Sequence, residues 1–103
     1  MMFHVLLRRS GPAWEDGVPL REQAGFDEHA RFTDALVDAG VIVLGGPLAD
    51  AERVVLAVQA SNEEEVRAIL AADPWSGNKV VVEEVIGWTI LLDARQDVEG
   101  PTP

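Results

Sequence analysis

The sequence predicts an α+β sandwich in which two helices cover one face of a four-stranded antiparallel sheet. Three observations favour this class. Two segments have helical periodicity, four apolar runs have the length of strands, and 103 residues are enough for one domain. The hydrophobic share is 48%, so a chain with a net charge of −10 still has the apolar side chains that a core needs.

The N-terminal part predicts one strand and one long loop. Residues Phe3 to Leu7 form a short apolar run with the length of a strand. Ser10-Gly11-Pro12 interrupts this run, because glycine and proline favour turns. A polar loop then continues through Trp14 to about Gln23, and we expect it to lie at the end of the sheet where the first strand finishes.

A helical period begins at about Phe26. One stripe of this helix carries Phe26, His29, Ala30, Thr33, Leu36 and Val37. Gly40 suits the position just after a helix end, since glycine adopts the left-handed conformation at low cost. Val41 to Leu44 predict a second strand, which we expect to stop at Gly45-Gly46-Pro47.

The second half predicts a strand, a helix and a final strand. The valine-rich segment Arg53 to Ala60 predicts the third strand. Ser61 and Glu64 predict a capping box at the start of the second helix, and Asp73-Pro74 predicts its end. Lys79 to Leu92 predict a fourth strand, which is long enough to bend, bulge or divide at Gly87.

This βαββαβ order is that of the ferredoxin-like fold, with both helices on one face of the sheet. We place the single domain at residues 1–95 and expect 96–103 to be a flexible tail. The strands are apolar on both sides, as Leu6, Val55 and Ala57 illustrate. Such strands are normally covered on both faces. Because two helices cannot cover both, we predict a homodimer through the open sheet face.

The composition disfavours several classes of partner. With 8 Lys and Arg against 18 Asp and Glu, the chain lacks the basic surface that nucleic acids and anionic membranes require. It contains no cysteine, which removes disulfides and thiolate ligands. No apolar run approaches the length of a membrane span, and no basic segment precedes an apolar stretch at the N-terminus. We therefore expect a soluble, cytoplasmic protein.

Two polar residues occupy positions that the helical patterns assign to the core. His29 lies on the stripe of the first helix, and Asp73 takes the next stripe position after Leu70. The topology brings both to one end of the sheet. Because a buried carboxylate needs a partner, we predict that Asp73 accepts a hydrogen bond from one imidazole nitrogen, which leaves the other free for proton transfer. The alternatives are a satisfied core histidine and a turn-forming aspartate before Pro74.

The sequence also resembles the YCII-related family. The matching motifs are Phe26-Asp27-Glu28-His29, the stretch from Gly40 to Pro47, and the stretch from Leu70 to Trp75. The resemblance spans Met2 to about Leu92 and implies a ferredoxin-like dimer of the α+β barrel type, with a candidate catalytic His–Asp dyad at His29 and Asp73. Wider relatives include muconolactone isomerase-like and dehydrochlorinase-like enzymes. Family members often have an arginine three residues before the histidine, where this chain has Phe26.

Further candidates for substrate binding lie at the same end of the sheet: Arg8, Arg9, Trp14, Gly45, Gly46, Pro47 and Trp75. The arginines can hold a carboxylate, the tryptophans can wall a pocket, and the glycines let backbone approach an anion. The alternatives are solvated charges for the arginines, packing or dimer contacts for the tryptophans, and a strand end or bulge for the glycines. With two histidines and no HExxH-like spacing, we predict no metal site.

These features favour a small-molecule enzyme in which Asp73 orients His29 for general acid/base chemistry. Suitable reactions are isomerisation, elimination or dehydrohalogenation of a small oxygenated metabolite, and no cofactor is implied. The alternative is a non-catalytic dimer that binds a metabolite or a partner protein in the same cleft. A cavity that opens onto the free imidazole nitrogen separates the two, because a capped nitrogen leaves no site for a substrate.

Overall fold

A computed structural model describes residues 1–95 and has the α+β ferredoxin-like arrangement. The predicted tail, 96–103, lies outside the described residues. The elements are β1 (Met2–Arg8), a short 3-10 helix (Leu20–Glu22), α1 (Phe26–Asp38), β2 (Ile42–Pro47), β3 (Arg53–Gln59), α2 (Glu63–Ala71) and β4 (Val81–Trp88). Over the described part of the chain, no helix is both long enough and apolar enough to cross a membrane.

The four strands form one sheet in the order β2-β3-β1-β4, and all neighbours are antiparallel. Strict alternation along β1 turns Phe3, Val5 and Leu7 toward the helices, where they join the hydrophobic core. Val66 of α2 belongs to the same core, and Leu36 of α1 packs against it. Both helices therefore cover the same face of the sheet.

The last strand contains a β-bulge. Val82 and Val85 both pack in or against the core although they are three residues apart, which strict alternation does not permit. The pairing of β4 with β1 skips Glu83 and so restores the inward phase for the second valine. The irregularity lies at this glutamate rather than at Gly87, which stays within the strand.

The second strand does not stop at Leu44. Gly45, Gly46 and Pro47 continue the pairing with β3, so the expected strand end is wrong. A proline cannot donate to a ladder, and β2 accommodates it because it is an edge strand with one unpaired side.

The second helix begins one residue later than the predicted capping box. Its N-cap is Asn62, whose side chain accepts a hydrogen bond from the backbone N–H of Glu65 at 2.8 Å. The Glu65 carboxylate in turn accepts from the backbone N–H of Ser61 at 3.1 Å. Asparagine and serine are comparable N-caps, and this register places three glutamates in the first turn, at the positive end of the helix dipole.

The face of the sheet opposite the helices is rich in apolar side chains. It carries His4, Leu6, Leu44, Val55, Ala57, Ile86 and Trp88. Leu44, Ile86 and Trp88 are 55%, 50% and 42% exposed. We call this set of seven residues the open face.

Candidate functional site

A cavity of about 240 Å³ lies between α1 and the helix-covered face of the sheet. Helix α1 contributes His29, Thr33 and Val37, which recur every four residues and so share one face of the helix. No side chain of α1 is fully buried, because the helix borders this space instead of packing closely on the strands. The apolar wall is formed by Leu7, Ile42, Val54, Leu56, Leu70, Val80 and Val82.

His29 and Asp73 meet at this cavity. Nδ1 of His29 lies 2.9 Å from Oδ1 and 2.8 Å from Oδ2 of Asp73, and the two side chains are only 19% and 12% exposed. The backbone N–H of Trp75 also donates to Oδ1 of Asp73, at 2.9 Å. The carboxylate therefore has two donors that offset its lost solvation. Asp73 therefore accepts a backbone hydrogen bond within its turn, which is the alternative role expected from the sequence, and it also contacts His29.

The geometry assigns different roles to the two imidazole nitrogens. An ionised carboxylate only accepts hydrogen bonds, so Nδ1 of His29 carries a proton. Nε2 has no hydrogen-bond partner among residues 1–95 and is not buried. In the neutral ring Nε2 therefore carries a lone pair, and it is the nitrogen able to exchange a proton with a bound molecule.

Trp75 fixes the plane of this imidazole. The two rings are stacked, with centroids 4.1 Å apart and planes 6° from parallel. The indole N–H donates to the carbonyl of Ala24 at 3.1 Å, which holds the tryptophan against the loop before α1. Phe26 and Trp14 pack against the same indole at centroid distances of 6.1 and 6.3 Å. Stacking on one side and the carboxylate at Nδ1 together restrict the rotation of His29.

The alternation of β1 separates the two candidate arginines. Arg8 lies on the side of the open face, where its guanidinium forms ion pairs with Glu52 and Glu83. Arg9 continues the inward phase of Leu7 and lines the cavity.

The Arg9 guanidinium is held by one hydrogen bond and one aromatic ring. Its Nη1 donates to the carbonyl of Ala51 at 3.0 Å, and its Cζ lies 6.0 Å from the centre of a Trp14 ring. No ion pair to it occurs within the described residues. Partial burial lowers the pKa of Arg9 from its ordinary value, because desolvation disfavours the charged form.

The other predicted binding residues divide into two groups. Gly45, Gly46, Pro47 and Trp75 line the cavity. Trp14 is half-buried and packs edge-on against Trp75, and it does not line the cavity.

A buried lysine anchors the loop between β1 and α1, and sequence reasoning missed it. Lys79 is 5% exposed, and its Nζ donates to the Ala13 carbonyl at 2.6 Å. It also donates to Oε2 of Glu15 at 3.2 Å and to Oε1 of Gln23 at 3.1 Å. The Gln23 amide returns a hydrogen bond to the carbonyl of Glu15 at 2.8 Å. We call Glu15, Gln23 and Lys79 the loop latch.

The loop latch contains one carboxyl group whose pKa is displaced. The backbone N–H of Ala24 donates to Oε2 of Glu15 at 3.2 Å. This hydrogen bond, followed by the contact with Lys79, holds the pKa of Glu15 below its ordinary value. The ionised form of this side chain therefore stabilises the loop conformation in which the Ala24 carbonyl accepts the indole N–H of Trp75.

Two polar residues of the cavity wall, Thr33 and Ser76, were also not singled out from the sequence. The Thr33 hydroxyl donates to the carbonyls of His29 and Ala30 at 3.3 and 3.1 Å. The sequence shows that Thr33 lies on the apolar stripe of the helix. A threonine at such a position commonly bonds its hydroxyl to a carbonyl of the preceding turn, so its presence there does not by itself indicate a site. Within residues 1–95, no group of three or more His, Cys, Asp or Glu side chains is close enough to hold a metal ion.

One comparison with known proteins shows the family of the chain. A family model described as YCII-related domain matches residues 2–89, a span that includes every strand and helix described above. The family resemblance found in the sequence is therefore confirmed. No curated protein and no solved structure shows significant similarity to the chain.

Proposed function

The chain belongs to the YCII-related family, and from that premise we propose that it is a small-molecule enzyme with His29 as its general acid and base. Asp73 orients the imidazole and stabilises its charged form. Family membership alone names no reaction, so the proposal depends on the site. The observation that carries it is an imidazole that lines a cavity, is held at Nδ1 by a carboxylate, and has no hydrogen-bond partner at Nε2 among residues 1–95.

The chemistry that suits this arrangement is proton transfer at a carbon next to a carbonyl or enol. Nε2 takes a proton from that carbon, and the imidazolium formed is stabilised by the Asp73 carboxylate. Returning the proton to another carbon completes an isomerisation. Departure of a halide ion from the neighbouring carbon completes an elimination, as does departure of a hydroxyl group as water once it has taken the proton from the imidazolium. Neither reaction needs a redox cofactor, because the electron pair of the broken C–H bond forms the new double bond and the overall change involves no oxidant or reductant.

We also propose that the protein acts as a homodimer joined through the open face. Leu44, Ile86 and Trp88 are half-exposed large apolar side chains on that face. Contiguous apolar patches of this kind are uncommon on monomers and are typical of interfaces. A second copy of the chain also has a matching patch, as a two-fold interface requires.

Proton exchange tests the proposed chemistry before the natural substrate is known. The protein is incubated in D₂O with a panel of enolisable lactones, keto acids and chlorinated hydroquinones. Deuterium incorporation and new products are then followed by ¹H NMR. At least one compound is expected to exchange or react, and His29→Gln is expected to slow this by about 10²- to 10⁴-fold, the usual contribution of a general base.

The other histidine of the chain provides the matched control. His4 lies on the sheet face opposite the cavity, so His4→Gln should leave exchange unchanged. Exchange that persists in His29→Gln would exclude this histidine as the base. Binding of a compound with no exchange and no product would instead support the non-catalytic binding module.

A further inference from the structure

The Arg9 guanidinium is a partly buried cation beside an apolar cavity, and no carboxylate of residues 1–95 pairs with it. We infer that the molecule bound in this cavity is a small carboxylate, held at Arg9, with an apolar body that lies against the strands. This inference rests on the proposed function, because it names the substrate class for the same cavity.

Arg9 differs from the other cations of the chain in combining partial burial with the lack of a carboxylate partner. Five of the eight lysines and arginines form an ion pair with a carboxylate. Arg9, Arg21 and Arg31 have no such partner within the described residues, and of these three only Arg9 is partly buried, whereas Arg21 and Arg31 are exposed. An unpaired charge removed from water costs free energy unless a ligand supplies the missing partner.

The Arg9 guanidinium is held in place by two contacts. Its Nη1 donates to the Ala51 carbonyl, and its Cζ lies 6.0 Å from the centre of a Trp14 ring. Ala51 is also held in the left-handed conformation, with φ of +60°, which is unusual for a residue other than glycine. An arginine has five N–H donors in a planar fork that matches a carboxylate. Holding one donor on the protein preorganises the others for an anion.

The remaining lining of the cavity supplies no counterion for Arg9. Among the described residues, Asp73 is the one other formal charge at the cavity when His29 is neutral. Asp73 accepts hydrogen bonds from His29 and Trp75, and no ion pair joins it to Arg9. Most of the remaining wall is aliphatic. The bound molecule therefore needs one anionic end and an apolar body.

The size of the cavity limits that body. Its volume of about 240 Å³ is below the roughly 300–1,000 Å³ of pockets for drug-sized ligands. A single ring or a short branched chain fits this limit. Benzoate is a suitable probe, and benzamide is its neutral counterpart with nearly the same shape.

Affinities of the two probes are compared at neutral pH by NMR titration of the wild type and variants. We expect the wild type to bind benzoate about 10- to 100-fold more tightly than benzamide, as charge-assisted hydrogen bonds allow. Arg9→Gln should abolish this preference while leaving the affinity for benzamide unchanged. Arg9→Lys, which keeps the charge but loses the planar fork, should retain part of it.

Arg67→Gln provides the matched control, because it removes the same charge from the exposed side of α2. It should preserve the preference for benzoate. Equal affinities in the wild type, absence of binding, or a preference that survives in Arg9→Gln would each overturn the inference.

The His29→Gln variant separates this inference from the proposed function. Because Arg9 and not His29 selects the anion, His29→Gln should still prefer benzoate. A preference that depends on Arg9 supports the carboxylate site even when no compound exchanges protons. Conversely, proton exchange without any preference for the anion supports the general base and overturns the carboxylate site.

Discussion

At the scale of single residues, Asp73 performs two tasks with one carboxylate. It accepts the Nδ1 proton of His29, and it accepts the backbone N–H of Trp75, the residue on which the imidazole is stacked. The same side chain therefore sets the tautomer of the imidazole and the position of the surface against which it lies. Partners of this kind affect activity through the group they orient.

Replacing Asp73 by asparagine separates these tasks. The amide oxygen can still accept the backbone N–H of Trp75, whereas the amide nitrogen cannot accept the Nδ1 proton of His29 and the side chain has no charge to stabilise the imidazolium. We expect Asp73→Asn to lower the proton-exchange rate by about 10- to 100-fold, with the fold retained by circular dichroism. Asp34→Asn, which removes an exposed carboxylate from the same protein, should have no effect. Equal rates for the two variants would show that Asp73 does not orient the base.

The pairing of His29 with Asp73 could be predicted because each residue places a polar group on an apolar helical stripe. The positions of Arg8 and Arg9 on opposite sides of the sheet also follow from alternation, but only once the register of β1 is known. Lys79 and Gln23 could not be predicted in the same way. They meet across a loop that has no periodicity, so neighbouring positions do not reveal which side chains turn inward.

At the scale of elements, the loop before α1 is part of the site although its residues 10–23 do not line the cavity. It supplies the Trp14 ring beside Arg9 and leads to the Ala24 carbonyl that holds Trp75. The loop latch joins it to the segment after α2. The backbone of the loop also lies directly against this segment at Gly11. Only glycine fits there, since a Cβ at this position would lie 2.0 Å from the carbonyl oxygen of Asn78.

The loop latch predicts a pH dependence of stability. The pKa of Glu15 is lowered in the folded protein from the ordinary value of 4.5, so its contribution is complete above that value. The contribution is lost as the pH falls through the lower, folded pKa. We expect Glu15→Gln to lower the melting temperature at neutral pH, with the difference from wild type shrinking as the pH falls below 4.5.

The exposed neighbour Asp16 provides the control for this measurement. Asp16→Asn should change the melting temperature little at any pH, because this side chain makes no hydrogen bond among the described residues. A pH-independent difference between wild type and Glu15→Gln would contradict the assigned role of the Glu15 charge.

Both helices and all four strands could be predicted from periodicity and turn residues. Three details could not: two depended on the pairing of strands, and one on a choice between two neighbouring caps. The Gly45-Gly46-Pro47 segment stays in the sheet because β3 offers it a complete partner. The bulge at Glu83 reflects the need to bury two valines spaced by three residues. The N-cap falls at Asn62, beside an equally suitable Ser61 that local preference cannot distinguish.

At the scale of the whole molecule, the open face and the net charge of −10 act in opposite directions. Apolar burial favours association of two copies, whereas like charges oppose it. The two-sided apolar character of the strands allowed the open face to be predicted, since it is a property of alternation alone. The side chains that pair across an interface are not determined by that pattern.

Sedimentation equilibrium tests the assembly. We expect a mass of twice the 11.2 kDa of one chain, and stronger association at higher salt, where repulsion is screened. Ile86→Glu should give monomers, because it places a charge on the open face that the proposed interface buries. Ala35→Glu, which adds the same charge on the exposed side of α1, should remain dimeric. A monomeric wild type at all concentrations would contradict the proposed interface.

The central claim is that Asp73 presents Nε2 of His29 to the cavity as a proton acceptor. ¹⁵N NMR of histidine-labelled protein tests it most directly, with the two imidazoles assigned by means of His4→Gln. In the neutral ring of His29 we predict a protonated Nδ1 and an unprotonated Nε2, and a changed tautomer balance in Asp73→Asn. A proton on Nε2 of neutral His29, with Nδ1 unprotonated, would contradict the claim.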